Sequence, residues 1–207
     1  MRGLFITFEG LEGAGKSTQI KKLMDYLLQK DLDVVTTREP GGTFIGDEIR
    51  DILLDVDNTD MDYKVEALLY AASRAQLVKN IISPALVQGK IVLSDRYVDS
   101  SLAYQAYGRE LLFDTVREVN GWATSSLDPD LTFYLKLPVH DGLKRILKSR
   151  KIDRIESEDI SFHERVEAGY NKLAEMFSDR YRIIDASLDE EKVFDQILEN
   201  VKEAINL

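Results

Sequence analysis

The sequence predicts an α/β fold in which helices cover both faces of a five-stranded parallel sheet. Short apolar runs rich in β-branched residues alternate along the chain with segments whose apolar residues recur at helical spacing. A glycine-rich turn joins the first apolar run directly to the first helical segment. Charged residues follow each of the first three strands, beginning with Glu9 after the first. Because folds of this kind bind ligands outside the carboxyl ends of their strands, we expect the functional site at that edge.

In the first half of the chain, the spacing of apolar residues alternates between that of strands and that of helices. Strands are expected at residues 4–8, 33–37 and 91–94, and helices at 17–30, 46–54, 63–87 and 100–107. Ile20, Leu23 and Leu27 show the spacing of the first helix. Pro40 and the two glycines after it end the second strand. In the second predicted helix, Ile52 is expected to face inward.

The second half of the chain continues the alternation. Strands are expected at residues 131–137 and 181–185, and helices at 113–124, 139–149, 162–177 and 190–205. The long helix 63–87 should kink near Pro84, since proline removes a backbone hydrogen bond. Trp122 is expected in the core. There is no repeat or linker, so residues 1–207 are predicted to form one domain.

Composition restricts the classes of partner. The 207 residues include 37 acidic and 27 basic side chains, giving a net charge of −10. Such a chain is repelled by nucleic acid and by anionic membranes, so neither is an expected partner. No apolar run approaches the roughly 18 residues of a membrane span, and there is no room for a signal peptide before the first strand. The cytoplasm is therefore the expected compartment. There is no cysteine, so neither disulfides nor thiolate chemistry is expected.

The glycine-rich turn has the form of a phosphate-binding loop. Its members are Gly10, Leu11, Glu12, Gly13, Ala14, Gly15, Lys16 and Ser17, followed by Thr18 in the helix. Glycines let the loop N–H groups converge on an anion, and the helix N-terminus adds a favourable dipole. Lys16 is then expected to bind the β- and γ-phosphates of ATP, and Ser17 to ligate Mg²⁺. The loop alone does not identify the reaction.

Three charged residues at strand ends extend this candidate site. Asp95 follows the third strand and is placed to hold Mg²⁺ directly or through water, although an isolated Asp here would more often cap a helix. Arg38 and Arg96 also follow strands, and arginine pairs with phosphate through two parallel hydrogen bonds. A phosphorylated acceptor needs such pairing. Arg74 is a weaker candidate by position alone.

A basic segment interrupts the otherwise acidic chain, since six of the eleven residues 144–154 are Lys or Arg. It is interpreted either as a lid, spanning about residues 142–155, that closes over the triphosphate, or as a solvated helix end. Tyr70 also has two interpretations, because it could stack on a base or pack in the core. His140 and His163 lack the spacing of a metal site.

Five stretches together resemble the thymidylate kinase family in its bacterial type. They are FEGLEGAGKST at 8–18, TREPGGT at 37–43, LYAASR at 69–74, DRYVDSSLAYQ at 95–105 and DRIE at 153–156. The resemblance implies the P-loop NTPase fold, a homodimer, and transfer of the γ-phosphoryl of ATP·Mg²⁺ to dTMP. The segment 108–111 departs from it, with Glu110 where glycine is usual.

The resemblance also implies roles for individual residues. Lys16, Asp95, Arg96 and Arg38 would serve catalysis, with Ser17 and Asp95 at the metal. The acceptor would be bound by Glu12, Arg38, Glu39, Pro40, Arg50, Tyr70, Arg74, Arg96, Ser101, Tyr104 and Gln105. Since the loop itself has no arginine, the lid would supply the catalytic one, with Arg145 and Arg150 as candidates. Leu147 and Ser149 stand where arginine is common in the family.

Three other functions are alternatives to this interpretation. A kinase for a different nucleotide or deoxynucleoside would share the loop but not the base contacts. A GTPase-like switch would need an Asn-Lys-x-Asp motif, and the segment 171–174 lacks its Asp. A protein with an inactive loop is disfavoured by the intact Lys16, Ser17 and Asp95.

Overall fold

A computed structural model describes residues 2–147 and 152–205 and confirms the predicted fold class. Five parallel strands form one sheet in the order β2-β3-β1-β4-β5. The strands are β1 Phe5–Glu9, β2 Val34–Arg38, β3 Ile91–Asp95, β4 Leu131–Lys136 and β5 Tyr181–Asp185. In this register Asp95 is level with Arg38 on one side and with Phe8 on the other. The polar ends of β1, β2 and β3 therefore meet at one edge.

Helices connect the strands on both faces of the sheet. They are α1 Lys16–Leu28, α2 Phe44–Leu54, α3 Tyr63–Leu77, α4 Ser83–Val87, α5 Val98–Ser101, α6 Phe113–Thr124, α7 Val139–Leu147, α8 Ile160–Met176 and α9 Glu190–Ile205. Two π-helical segments, π1 Val78–Ile82 and π2 Leu102–Gly108, continue α3 and α5. Most predicted boundaries lie within two or three residues of these.

The π-helical segments refine two sequence predictions. The helix predicted at 63–87 is α3, π1 and α4 in succession, and the wider turns of π1 come just before Pro84, at the predicted irregularity. The helix predicted at 100–107 starts as α5 and becomes π2. Because π turns often occur at functional sites, π2 is notable for carrying Tyr104 and Gln105.

The core lies on both faces of the sheet. Ile6 and Phe8 of β1 point to one face of the sheet and pack with α1 and α9. Phe5 points to the opposite face and packs with Val92 and Tyr97. Burying a side chain of this size stabilises the fold by about 1.5–3 kcal/mol. These strands are hydrophobic on both sides because helices cover both faces.

Two expectations about buried residues were wrong. Trp122 on α6 is 87% exposed, and Ile52 on α2 is 48% exposed. Both residues belong to helices that carry apolar side chains on more than one side. The rest of the chain packs against one side of each helix and leaves the other exposed. Helical spacing indicates an apolar face but not what covers it.

Glu110, which departs from the family pattern, occupies backbone space that favours glycine. Its φ is 58°, in the left-handed region, and its side chain is exposed. The Cβ of an L-residue makes this conformation cost about 1–2 kcal/mol, which glycine avoids. The glycine usual at this position therefore has a conformational explanation.

We predict that Glu110→Gly raises the free energy of unfolding by about 0.5–1 kcal/mol. The substitution relieves the backbone strain, but the greater conformational entropy of glycine in the unfolded chain offsets part of that gain. Thermal and denaturant unfolding measure this change. Glu110→Ala is the matched control, because it removes the carboxylate but keeps the Cβ. An equal gain in both variants would assign the effect to charge rather than to backbone conformation.

Candidate active site

A cavity of about 540 Å³ opens at the carboxyl edge of the sheet. It brings together most of the predicted site residues. Those lining it are Glu12, Gly13, Gly15, Lys16, Ser17, Thr18, Arg38, Glu39, Pro40, Arg50, Tyr70, Asp95, Arg96, Ser101, Tyr104, Gln105 and Arg145. Gly10, Leu11 and Ala14 complete the loop beneath it without lining it. Arg74 is buried behind the wall, and Arg150 lies outside the described residues.

The loop between β1 and α1 has the shape that its glycines allow. Gly10, Gly13 and Gly15 have φ values of 134°, 75° and 90°, and Gly15 immediately precedes α1. A side chain at Gly13 would place its Cβ 2.5 Å from the Gly142 carbonyl oxygen, so only glycine fits against α7. The loop can therefore wrap an anion with its backbone N–H groups.

Lys16 folds back across the loop. Its Nζ donates to the carbonyl oxygens of Gly10 at 3.0 Å and Leu11 at 2.9 Å. Burial lowers the pKa of Lys16 to about 8, and the Arg96 charge acts in the same direction. An ammonium group held by carbonyl oxygens beside an anion-binding loop is well placed to bind phosphate oxygens instead.

Ser17 and Asp95 form the predicted metal pair. The Ser17 hydroxyl donates to a carboxylate oxygen of Asp95 at 2.7 Å, which joins the start of α1 to the end of β3. A hydroxyl and a carboxylate are the oxygen ligands that Mg²⁺ accepts, and Mg²⁺ commonly takes its other ligands from water and phosphate. Among the described residues, His, Cys, Asp and Glu form no cluster of three suited to a metal. The donor set therefore fits a nucleotide-associated Mg²⁺ rather than an ion enclosed by protein.

Arg96 is held above the loop by a dense set of contacts. Its guanidinium pairs with the Glu12 carboxylate at 2.7 Å, donates to the Gly10 carbonyl at 3.1 Å and lies 5.0 Å from the centre of the Tyr104 ring. Burial opposes ionisation of Glu12, but the charges of Arg96 and Lys16 outweigh it, so the pKa of Glu12 lies below its ordinary value. The Arg96 backbone has a φ of 72°, a conformation that persists at functional sites when neighbours enforce it.

Glu9 supports this cluster from beneath. It is fully buried, and its carboxylate accepts hydrogen bonds from the Tyr97 amide at 2.8 Å, the Ser100 hydroxyl at 2.6 Å and the Tyr170 hydroxyl at 2.9 Å. The Ser100 and Tyr170 hydroxyls are in turn within 3.1 and 3.3 Å of the Arg96 guanidinium. Sequence reasoning placed Glu9 at the sheet edge but missed Ser100 and Tyr170. Ser100 lies inside a recognised motif, whereas no local signal marks Tyr170 on α8.

Arg74 and Glu39 form an ion pair in the wall of the cavity. The Arg74 side chain is 1% exposed, and it contacts Glu39 at 2.5 Å. It also donates to the Ser101 hydroxyl at 2.9 Å, the Tyr97 carbonyl at 3.0 Å and the Asn120 side chain. All three guanidinium nitrogens are thus engaged by protein. In this geometry Arg74 fixes the positions of Glu39 and Ser101, which do line the cavity.

The outer end of the cavity is less enclosed. The Arg38 side chain is 61% exposed and lies 3.7 Å from Asp47. Arg50 donates to the Pro40 carbonyl at 2.8 Å, and Tyr70 is half-buried in the wall. A flat ring could therefore reach Tyr70 without displacing core residues.

The basic segment approaches the loop from the other side. Arg145 donates to the Gly13 carbonyl at 3.2 Å and to the Ala186 carbonyl at 3.3 Å. This geometry places Arg145 beside the phosphate loop. Asp153, at the far end of the segment, and Ile155 and Glu156, just after it, also line the cavity, although sequence reasoning did not single them out as site residues.

Comparisons with known proteins agree with this geometry. A family model described as thymidylate kinase matches residues 8–197. The chain belongs to the thymidylate kinase family. The family resemblance of the five motifs is therefore confirmed, and the chain is a nucleoside monophosphate kinase, a phosphotransferase.

Individual relatives match this family member over nearly their whole length. The thymidylate kinase of Lactobacillus helveticus is 49% identical over 208 residues, covering 99% of this chain and 98% of that protein. That of Halothermothrix orenii is 51% identical over 205 residues, with 98% of each covered. The crystal structure of thymidylate kinase from Ehrlichia chaffeensis superposes with a TM-score of 0.79 at 30% identity, covering 97% of this chain and 99% of that one.

Within residues 2–147 and 152–205, every helix is too short or too polar to cross a bilayer.

The buried Glu9 predicts a pH dependence of stability. Burial, with the nearby Asp99 charge, raises its pKa from 4.5 to about 7. Between pH 4.5 and 7, Glu9 keeps its proton in the folded state but loses it in the unfolded state. The stabilisation that is fully present below pH 4.5 is therefore lost as the pH rises to 7. Relative to Glu9→Gln, which cannot titrate, the free energy of unfolding of the wild type should fall by about 3 kcal/mol across this range.

Denaturant unfolding of both proteins at several pH values measures the difference. Glu175→Gln, which removes an exposed carboxylate from α8, is the control and should follow the wild type. Parallel curves for the wild type and Glu9→Gln would contradict the raised pKa.

Proposed function

We propose that this enzyme transfers the γ-phosphoryl group of ATP to the 5′-phosphate of dTMP, giving dTDP and ADP for dTTP biosynthesis. The observation that carries the proposal is that the phosphate loop, the Ser17–Asp95 pair and Arg38 and Arg96 line the same cavity. Membership of the thymidylate kinase family supports dTMP as the acceptor.

On the donor side, the loop N–H groups and Lys16 bind and orient the phosphates. The charge that develops during phosphoryl transfer lies on phosphate oxygens, so fixed cations and N–H dipoles are the groups that lower the barrier. Ser17 and Asp95 would hold Mg²⁺, which would neutralise negative charge on the phosphates when bound. Arg145, beside Gly13, would add a further positive charge at this end.

On the acceptor side, Arg96 and Arg38 bind the phosphate of dTMP. Arg96 is already oriented by Glu12, Ser100 and Tyr170, so little side-chain entropy is lost when the acceptor binds. A nucleotide phosphate is anionic near neutral pH, and a strong general base is therefore unnecessary. This explains a site built from Lys, Arg and carboxylate groups rather than His or Cys.

The remaining acceptor contacts surround the nucleoside. We assign Tyr70 to stacking on thymine, and Ser101 and Gln105 to its edge or to the sugar. Tyr104 would lie against C2′ of the sugar and leave little room for a ribose hydroxyl, with Glu12 near the 3′-hydroxyl. Glu39, Pro40 and Arg50 would complete the wall, and Arg74 would act at the base through the residues that it holds.

The proposal treats the chain as one kinase domain with a lid at about residues 142–155. The lid would exclude water and so suppress hydrolysis of ATP. A cytoplasmic homodimer is part of the same proposal. It is supported by exposed apolar side chains on the adjacent helices α2, α3 and α6, namely Ile45, Ile52, Val65, Leu68 and Trp122.

An ADP-release assay with ATP and Mg²⁺ tests the proposed acceptor. The candidates dTMP, dUMP, dCMP, UMP, AMP and thymidine are offered separately. We expect strong turnover with dTMP, weaker turnover with dUMP and almost none with the others. A preference for another acceptor would retain the kinase and overturn the base contacts, and the absence of acceptor-dependent turnover would overturn the proposal.

Lys16→Ala should lower kcat by about 10²- to 10³-fold, the effect of removing one preorganised donor to transition-state charge. Because the hydrogen bonds of Nζ within the described residues go to two loop carbonyls, thermal stability should change little. Lys192→Ala is the matched control, since Lys192 pairs with Asp189 at the surface and should keep full turnover. Normal turnover by a folded Lys16→Ala enzyme would remove Lys16 from the catalytic set.

A further inference from the structure

Glu66 is a buried carboxylate whose purpose the reaction does not explain. It lies on α3, its side chain is 0% exposed, and it does not line the cavity. Three side chains from other segments donate to it. Gln105 Nε2 is 3.0 Å from its Oε1, Arg109 donates to both oxygens at 3.2 and 3.0 Å, and Arg154 Nη2 is 2.7 Å from Oε2.

The two arginines fix this carboxylate in position. Arg109 also pairs with Glu158 at 2.7 Å and lies 4.5 Å from the ring centres of Tyr63 and Phe162. Arg154 donates from Nε to the Leu53 carbonyl at 2.8 Å. Two positive charges compensate one buried negative charge, so Glu66 can remain ionised out of water. An ionised carboxylate accepts hydrogen bonds and cannot donate them.

This restriction determines which way the Gln105 amide points. A glutamine side chain carries a donor NH₂ group and an acceptor oxygen of nearly the same shape. Only the orientation with the NH₂ group toward Glu66 is favourable, because the opposite one would place the Gln105 oxygen against a carboxylate oxygen of Glu66. The Gln105 Oε1 is then directed away from Glu66. Among the described residues no donor reaches it, and it is not one of the buried unpartnered atoms, so it is open to the cavity that Gln105 lines.

The base end of the cavity therefore presents a fixed hydrogen-bond acceptor. Tyr70, Ser101 and Tyr104 line the cavity together with Gln105. An acceptor favours a pyrimidine whose N3 carries a proton, as thymine and uracil do. Cytosine has a lone pair at N3 and would meet the Gln105 oxygen with repulsion.

We propose that Glu66 is a positioning residue that sets the base selectivity of the acceptor site by holding the Gln105 amide with its oxygen toward the base. This inference rests on the proposed function, since it concerns the pyrimidine nucleotide bound there. Glu66 itself touches neither substrate and acts through Gln105. Arg109 and Arg154 keep its charge and position fixed.

Glu66→Gln tests this role, because a neutral amide at position 66 can donate or accept and no longer dictates the orientation of Gln105. We expect the ratio of kcat/KM for dTMP to kcat/KM for dCMP to fall about 10- to 100-fold, with dCMP turnover rising in absolute terms. The ratio for dTMP to dUMP should stay within about twofold, since both bases carry a proton at N3. A purely structural role would lower all three activities in parallel.

Glu158→Gln is the matched control. It removes a partly exposed carboxylate from the same Arg109 but has no contact with Gln105, so both ratios should remain those of the wild type. Each ratio compares substrates within one preparation and does not depend on the fraction of folded enzyme. If Glu66→Gln does not fold, Glu66→Asp keeps the charge and withdraws the carboxylate from Gln105, and the dTMP to dCMP ratio should again fall.

The outcomes separate this inference from the proposed function. Wild-type enzyme without dTMP turnover would overturn the proposed function. Wild-type enzyme active on dTMP, with an unchanged dTMP to dCMP ratio in the folded Glu66 variant, would overturn the role of Glu66 alone. An equal fall of the ratio in Glu158→Gln would also overturn it, because the effect would then follow Arg109 rather than the orientation of Gln105.

Discussion

The hydrogen bond from the Arg96 amide to the Phe8 carbonyl, at 3.0 Å, joins the two polar loops on which the site depends. It extends the pairing of β1 with β3 by one residue, and there the left-handed backbone of Arg96 turns the chain across the sheet edge. The guanidinium reaches the phosphate loop from this point, and Asp95 is left beside Ser17. The turn continues at Tyr97, whose backbone amide donates a hydrogen bond to Glu9 at the end of β1. A shift in register between these strands would displace the groups proposed to bind the phosphate donor and those proposed to bind the acceptor.

The site is built from cations whose partners inside the protein resemble the ligand groups. Arg96 forms an ion pair with Glu12, Arg74 forms one with Glu39, and Lys16 donates hydrogen bonds to loop carbonyls. Isolated buried charges would be unstable, and paired ones keep a defined geometry at a desolvation cost. In the proposed function, phosphates would replace the weaker of these acceptors, such as the carbonyls at Lys16, without reorganising the wall. Arg74 is enclosed on all sides and contributes rigidity instead.

Much of the fold was predictable because strand and helix periods differ and because glycine and proline mark the turns. The phosphate loop and the residues Arg38, Asp95 and Arg96 were predictable for a related reason, since the carboxyl ends of parallel strands must converge. Contacts between distant segments were not. Tyr170 reaches Glu9 from 161 residues away, and Arg154 reaches Glu66 from 88 away, with no local pattern to mark either. Trp122 and Ile52 were misplaced because spacing does not reveal how much of a helix its own chain covers.

The position of Trp122 has a consequence for spectroscopy. It is the one tryptophan of the 207 residues, it is 87% exposed, and it lies on α6 outside the cavity lining. In a single chain, intrinsic fluorescence excited at the indole band will therefore have a water-exposed emission maximum and remain insensitive to nucleotide in the cavity. A blue shift would instead signal that another surface has covered α6. The protein thus carries a built-in optical probe for association that is separate from its chemistry.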